Sequence, residues 1–98
     1  MAVLHLALQE GFTDDEVTVT VDGEQVLHRT EVVTRTQIGL AERTDLTVEP
    51  GRHTVTVSAR GASASIDVDV ADEAYLGISL DRSGAIEHRV SREPFRYL

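Results

Sequence analysis

The chain has no cysteine, no lysine and no tryptophan among its 98 residues. Without cysteine there is no disulfide framework, no thiolate metal ligand and no thiol nucleophile. Without lysine, all nine basic residues are arginine; they stand against 17 acids and leave a formal net charge of −8. A field of that sign repels phosphate backbones and anionic headgroups, so neither a nucleic acid nor a membrane is expected as a partner. Aromatics are scarce: only Phe12, Tyr75, Phe95 and Tyr97. A flat stacking platform for sugars lacks its material, and Phe12 and Tyr75 are expected in the core. No run approaches the roughly 20 apolar residues that a spanning helix needs. Ala2–Leu8 is apolar but short. No basic residue precedes it and no small-residue cleavage site follows, so it reads as a strand rather than a leader, and a cytoplasmic protein is expected.

What the chain does have is alternation. Leu4, Leu6 and Leu8 fall on one side of a pleat, with Val3, His5 and Ala7 on the other. Valines alternate with threonines over Val17–Val21. Val55 and Val57 alternate with Thr54, Thr56 and Ser58; Ile66, Val68 and Val70 with Asp67 and Asp69; Leu76, Ile78 and Leu80 with Gly77 and Ser79. Period two marks strands with one dry face and one wet face, and thirteen valines and ten threonines supply the β-branched residues that pleated surfaces favour. Asp22-Gly23 is a two-residue hairpin signal, Pro50-Gly51 suits a type II turn, and Arg60-Gly61 and Asp81-Arg82-Ser83-Gly84 close two further hairpins. The expected fold is all-β: a two-sheet antiparallel sandwich of seven to eight short strands over residues 1–91, with residues 92–98 as a C-terminal tail that caps or docks. Arg29–Arg43 is the one ambiguous stretch. It reads as an edge strand near Glu31–Thr36, then a short helical turn around Gln37–Glu42.

Between Val17 and Val70 the sequence resembles the PEGA and carboxypeptidase-regulatory-like group of small β-sandwiches, which are Ig-like or transthyretin-like. The residues that carry the resemblance are Val19, Val21, Asp22 and Gly23, then Leu46, Val48, Pro50, Gly51, His53, Val55, Val57 and Gly61. The second set matches an L-x-V-x-P-G-x-H-x-V-x-V hairpin arm. The group's G-x-x-P between the arms is replaced here by Ile38-Gly39-Leu40. The resemblance implies an accessory module that binds proteins, surfaces or peptidoglycan and is not catalytic.

The side chains capable of chemistry do not form a motif. His5, His28, His53 and His88 sit on four different predicted strands, with no close pair to nucleate a zinc site. His53, just after the Pro-Gly turn, is expected to hydrogen-bond a strand end. Asp67, Asp69, Asp72 and Glu73 crowd one predicted hairpin. They are the candidates for a calcium or small-ligand site, although Asp67 and Asp69 belong to the wet face of their strand. There is no G-x-S-x-G elbow, and the chain ends Phe95-Arg96-Tyr97-Leu98 rather than in the Tyr-Arg-Gly-Ser of the hydroxyisourate hydrolases. No enzyme and no cofactor are expected. The expectation is a non-catalytic accessory module that binds a protein partner or itself, by one of two routes. One is the tail, through Phe95, Arg96, Tyr97 and Leu98, where residues 82–98 carry a formal +2 against −10 for the rest. The other is the edge at Glu31–Thr36, where Val32 and Val33 break the alternation and leave one valine facing out.

Overall fold

Each valine-rich run becomes a strand in the computed structural model, which describes residues 1–34 and 40–93. The eight strands are β1 (Ala2–Leu8), β2 (Thr13–Val21), β3 (Glu24–Val33), β4 (Glu42–Val48), β5 (Gly51–Ala59), β6 (Ala62–Val70), β7 (Glu73–Leu80) and β8 (Ile86–Ser91). They form two four-stranded sheets packed face to face, in the orders β4-β1-β7-β8 and β3-β2-β5-β6. The expected all-β sandwich is therefore present. Its core is the set the alternation selects: Leu4, Val17, Val19, Val55, Val57 and Leu76 are each at most 1% exposed. Burying a side chain of this size is worth about 1.5–3 kcal/mol, which is why a one-residue slip of any strand is so strongly disfavoured.

Local chemistry sets the hairpins. Asp22 (φ 52°) and Gly23 (φ 84°) both take positive φ, the type I′ geometry whose twist matches the strands it joins. Arg60 (φ 51°) and Gly61 (φ 73°) repeat it between β5 and β6. At the β7–β8 turn, one carboxylate oxygen of Asp81 accepts from the Ser83 and Ala85 amides and the Ser83 hydroxyl, at 2.6–2.9 Å.

Three expectations need correction. Pro50-Gly51 is not a hairpin turn, because β4 and β5 belong to different sheets and the chain crosses the sandwich there. The acid-rich β6–β7 connection crosses between sheets in the same way. Glu42 is not helical; it opens β4, paired with Leu8. The rest of the expected helical turn, apart from Leu40 and Ala41, lies outside the described residues.

The sandwich is not the wholly antiparallel one expected: one pairing is parallel. β1 runs antiparallel to β4 but parallel to β7, from Val3 beside Glu73 to Leu8 beside Ile78. The N-terminal strand is thus interior to its sheet. The edge strands are β4 and β8 in one sheet, β3 and β6 in the other. On one flank Arg29 of β3 lies 3.8 Å from Glu42 of β4, joining the two sheets across the open side. No helix among the described residues is long and apolar enough to cross a membrane.

Candidate functional site

The end of the sandwich where β1 turns into β2 gathers most of the buried polar chemistry. Gln9 donates its amide to the Ile78 carbonyl at 2.7 Å, and Leu80 donates to the Glu10 carbonyl at 2.9 Å, so the connection is tied to β7. Gly11 then takes φ +89° directly against the Leu80 carbonyl. Phe12 follows, 1% exposed. Thr34, just past β3, locks onto this connection from the other sheet. Its hydroxyl accepts from the Phe12 amide (3.0 Å) and donates to the Gln9 carbonyl (2.7 Å), and its own amide donates to the Phe12 carbonyl (2.9 Å).

Asp15 stands two residues before Val17 and shares its face of the pleat, so the alternation aims a carboxylate into the interior. It is 7% exposed. Arg60 of the β5–β6 turn answers it, donating to the two carboxylate oxygens at 2.7 and 3.1 Å, while the Thr13 amide donates at 2.8 Å. Arg60 also bonds the Gly11 carbonyl (3.1 Å) and the Thr13 hydroxyl (2.8 Å). Burial pushes the Asp15 carboxyl up, but the Arg60 and Thr13 hydrogen bonds outweigh it and hold the group below its ordinary value. Beside Asp15 the β2–β3 ladder is bulged. Asp14 (φ 81°) and Glu31 (φ 57°) adopt left-handed backbone, and the register shifts between Thr13, Asp15 and Val17.

Val33 projects from this rigid frame. Val32 is buried at 5% and Thr34 is pinned, yet Val33 is 56% exposed. It borders an open, mostly apolar hollow of about 590 Å3, lined also by Phe12, Gly11, Thr13, Thr34 and the acids Glu10 and Asp14. The outward valine expected from the Val32-Val33 pair is Val33, and it lies on an edge strand. The strand ends there, and Arg35 and Thr36 lie outside the described residues. So do Phe95, Arg96, Tyr97 and Leu98, the other binding candidates.

No family model, curated protein or solved structure matches the chain.

Asp67 stands apart from the other three candidate acids. Asp67 accepts from the Thr54 hydroxyl (3.0 Å) on the outer face of β6. Asp69 lies opposite Arg52. Glu73 begins β7 in the other sheet, where its carboxylate meets His5 at 3.1 Å. Asp69, Asp72 and Glu73 share a second hollow with Arg92, Pro50 and Gly51. Among the described residues, no group of three His, Asp or Glu side chains is disposed to hold a metal ion.

His5 and His53 act as cross-links between segments of the sheets. His5 holds Asp45 of β4 through Nδ1 (2.6 Å) and Glu73 of β7 through Nε2. Tyr75 stacks on its ring with centroids 4.3 Å apart. Tyr75 is thus half-buried on the outer face beside His5, not in the core. His53 bridges the Asp22 carboxylate and the Glu49 carbonyl, each at 2.6 Å, bearing out its expected role at a strand end. A ring whose two nitrogens both face acceptors is best matched by the doubly protonated form, which donates twice. The bonds to Asp22 and to the Glu49 carbonyl raise the His53 pKa. At His5 partial burial opposes the charge, but the bonds to Asp45 and Glu73 prevail and the pKa is again raised. Stability from either link is complete below the ordinary histidine pKa of 6.5 and is lost as pH rises through the folded value. The melting temperature is expected to fall between about pH 6 and 8. Thermal melts of His53→Asn should show a shallower fall, and of His5→Asn/His53→Asn almost none. An unchanged slope in the double variant would place the titration elsewhere.

Proposed function

We propose that this domain is a non-catalytic binding module. It takes an extended protein segment along the end of β3, with an apolar side chain of the partner seated in the hollow beside Val33. The observation that carries this reading is the exposure of Val33 on an edge strand whose neighbours on both sides are fixed. Main-chain groups of an edge supply affinity in such additions, and a pocket for an alternate side chain supplies selectivity. The rim acids Glu10 and Asp14, within a chain of net charge −8, favour a partner with Arg or Lys next to the apolar residue. The Asp14 and Glu31 bulges limit pairing to the end of the strand, because a bulged, twisted edge does not template a long ladder.

Selection from a displayed library of extended peptides tests this. Enrichment of an apolar residue flanked by Arg or Lys is expected. Val33→Lys is expected to weaken binding of the selected peptide at least tenfold while the melting temperature holds, because exposed substitutions away from special features change stability by only about ±0.5 kcal/mol. A chain ending at Ser91 should bind as the full chain does. No enrichment, or unchanged binding by Val33→Lys, rules out the β3 site; binding lost only with residues 92–98 moves it to Phe95–Leu98.

A further inference from the structure

β8 is an edge strand on the opposite flank, paired to β7 on one side; among the described residues no strand pairs its other side. Its sequence is Ile86-Glu87-His88-Arg89-Val90-Ser91. Read about His88, the five residues Ile86–Val90 form a palindrome of character: apolar, charged, histidine, charged, apolar, with the two charges of opposite sign. We propose that β8 pairs antiparallel with β8 of a second copy of this chain, about a two-fold axis at His88, fusing the β4-β1-β7-β8 sheets of the two copies into one.

In an antiparallel ladder centred on His88, Ile86 stands opposite Val90 of the second copy and Glu87 opposite its Arg89, and symmetry repeats both pairs. Ile86, His88 and Val90 lie on the core-facing side of the pleat, because they pair with Leu80, Ile78 and Leu76. Yet β8 overhangs the facing sheet: Ile86 is only partly buried, His88 is exposed and Val90 is 49% exposed. A second copy would cover that overhang with its own Val90 and Ile86. Glu87 and Arg89 face the other way, and Arg89 bonds the Gln9 side chain through Nε at 3.3 Å. A guanidinium has five N–H donors, so it can keep that bond and meet a carboxylate as well.

The other three edges match themselves less well. On β6, a ladder centred on Val68 sets Asp67 against Asp69, and like charges directly opposite are destabilising; one centred on Ile66 avoids that clash but sets Ser65 against Asp67 and Ser63 against Asp69, so no opposite charges meet. On β4, the register that pairs Arg43 with Asp45 sets Glu42 against Leu46. On β3 the left-handed Glu31 interrupts the edge. Of these ladders, the β8 one alone sets opposite charges against each other and apolar side chains against apolar ones. The dimer leaves β3 free on the far flank, so the inference does not depend on the β3 reading.

Analytical ultracentrifugation of the full chain over a concentration series is the test. A reversible dimer in the micromolar range is expected, since a single strand pair buries less than a standard interface. Arg89→Glu, which places like charges opposite each other twice, should weaken it about tenfold. Glu87→Arg/Arg89→Glu restores opposite charges at every pair and should restore the dimer. Mixing Glu87→Arg with Arg89→Glu should give a heterodimer tighter than either variant alone. Val90→Lys, on the opposite side of the pleat from Arg89, gives a disruption that leaves the Arg89 side chain in place and should be monomeric. A parent chain that stays monomeric up to about millimolar concentration overturns the proposal. So does a dimer that tolerates Val90→Lys, or one that Arg89→Glu weakens and the charge swap fails to rescue.

Discussion

Gly11→Ala is expected to lower stability by about 3–4 kcal/mol, enough to remove most of the margin of a domain this size. Two costs add. At φ +89° an L side chain is strained by about 1–2 kcal/mol wherever it sits. Here, in addition, a Cβ would overlap the carbonyl oxygen and carbon of Leu80, main-chain atoms that cannot rotate away. Relief requires moving the β1–β2 connection off β7, which breaks the Leu80–Glu10 bond and unseats Phe12. Gly23→Ala is the control: its φ is +84°, but nothing lies within 4 Å of the added carbon. It should cost only the strain, about 1 kcal/mol. Urea unfolding of the two variants separates the terms. Equal losses would mean that the approach of Gly11 to Leu80 is not a constraint.

The second large effect is at Asp15. Asp15→Ala is expected to cost about 2–3 kcal/mol, because it removes the acceptor of three hydrogen bonds and leaves the Arg60 guanidinium without its counter-charge. Its pH dependence has a definite sign. The folded carboxyl titrates below its ordinary 3.8, so its contribution is complete above that value and is lost as pH falls through the folded pKa. Stability curves of the parent and Asp15→Ala should therefore run apart at neutral pH and converge in acid. Curves that stay parallel to about pH 2 would show that the Asp15 charge is not what stabilises. In a double-mutant cycle with Arg60→Ala, the second substitution should add little, because the two side chains form one network.

Much of this frame is legible in the sequence because it depends on neighbours two residues apart. The Val17–Val21 and Ile66–Val70 alternations place their buried sides correctly, and Asp22-Gly23 fixes a hairpin from two residues. What escapes depends on distant partners. Pro50-Gly51 says that the chain turns but not which sheet receives the next strand; that is set by where β5 finds β2, some 35 residues earlier. Asp15 lies in phase with Val17, so its inward aim is written in the pattern. Its burial is tolerable only because of Arg60, 45 residues later. Tyr75 occupies a wet position of β7 by the same phase rule, and the His5 ring that shelters it comes from β1. At the binding edge the pattern gives Val33 as the outward residue but not the hollow beside it, which exists only once Phe12 and Thr34 meet. Val90 had its signal too: it alternates with Arg89 and Ser91, but only the overhang of β8 makes it a surface.

The interior place of β1 has a consequence during synthesis. The strands of the β3-β2-β5-β6 sheet all lie between Thr13 and Val70, so that sheet can assemble as soon as Val70 has left the ribosome. β1 is made first, but its parallel partner β7 begins only at Glu73. Until residues 73–80 emerge, the leucine-rich segment Ala2–Leu8 has no more than β4 to pair with and one side open. Closing the longest loop in the fold, from β1 to β7, must wait for that strand, and that step is expected to limit the folding rate. A fusion that delays the emergence of residues 73–80 would lengthen the exposure of β1, and with it the time available for aggregation.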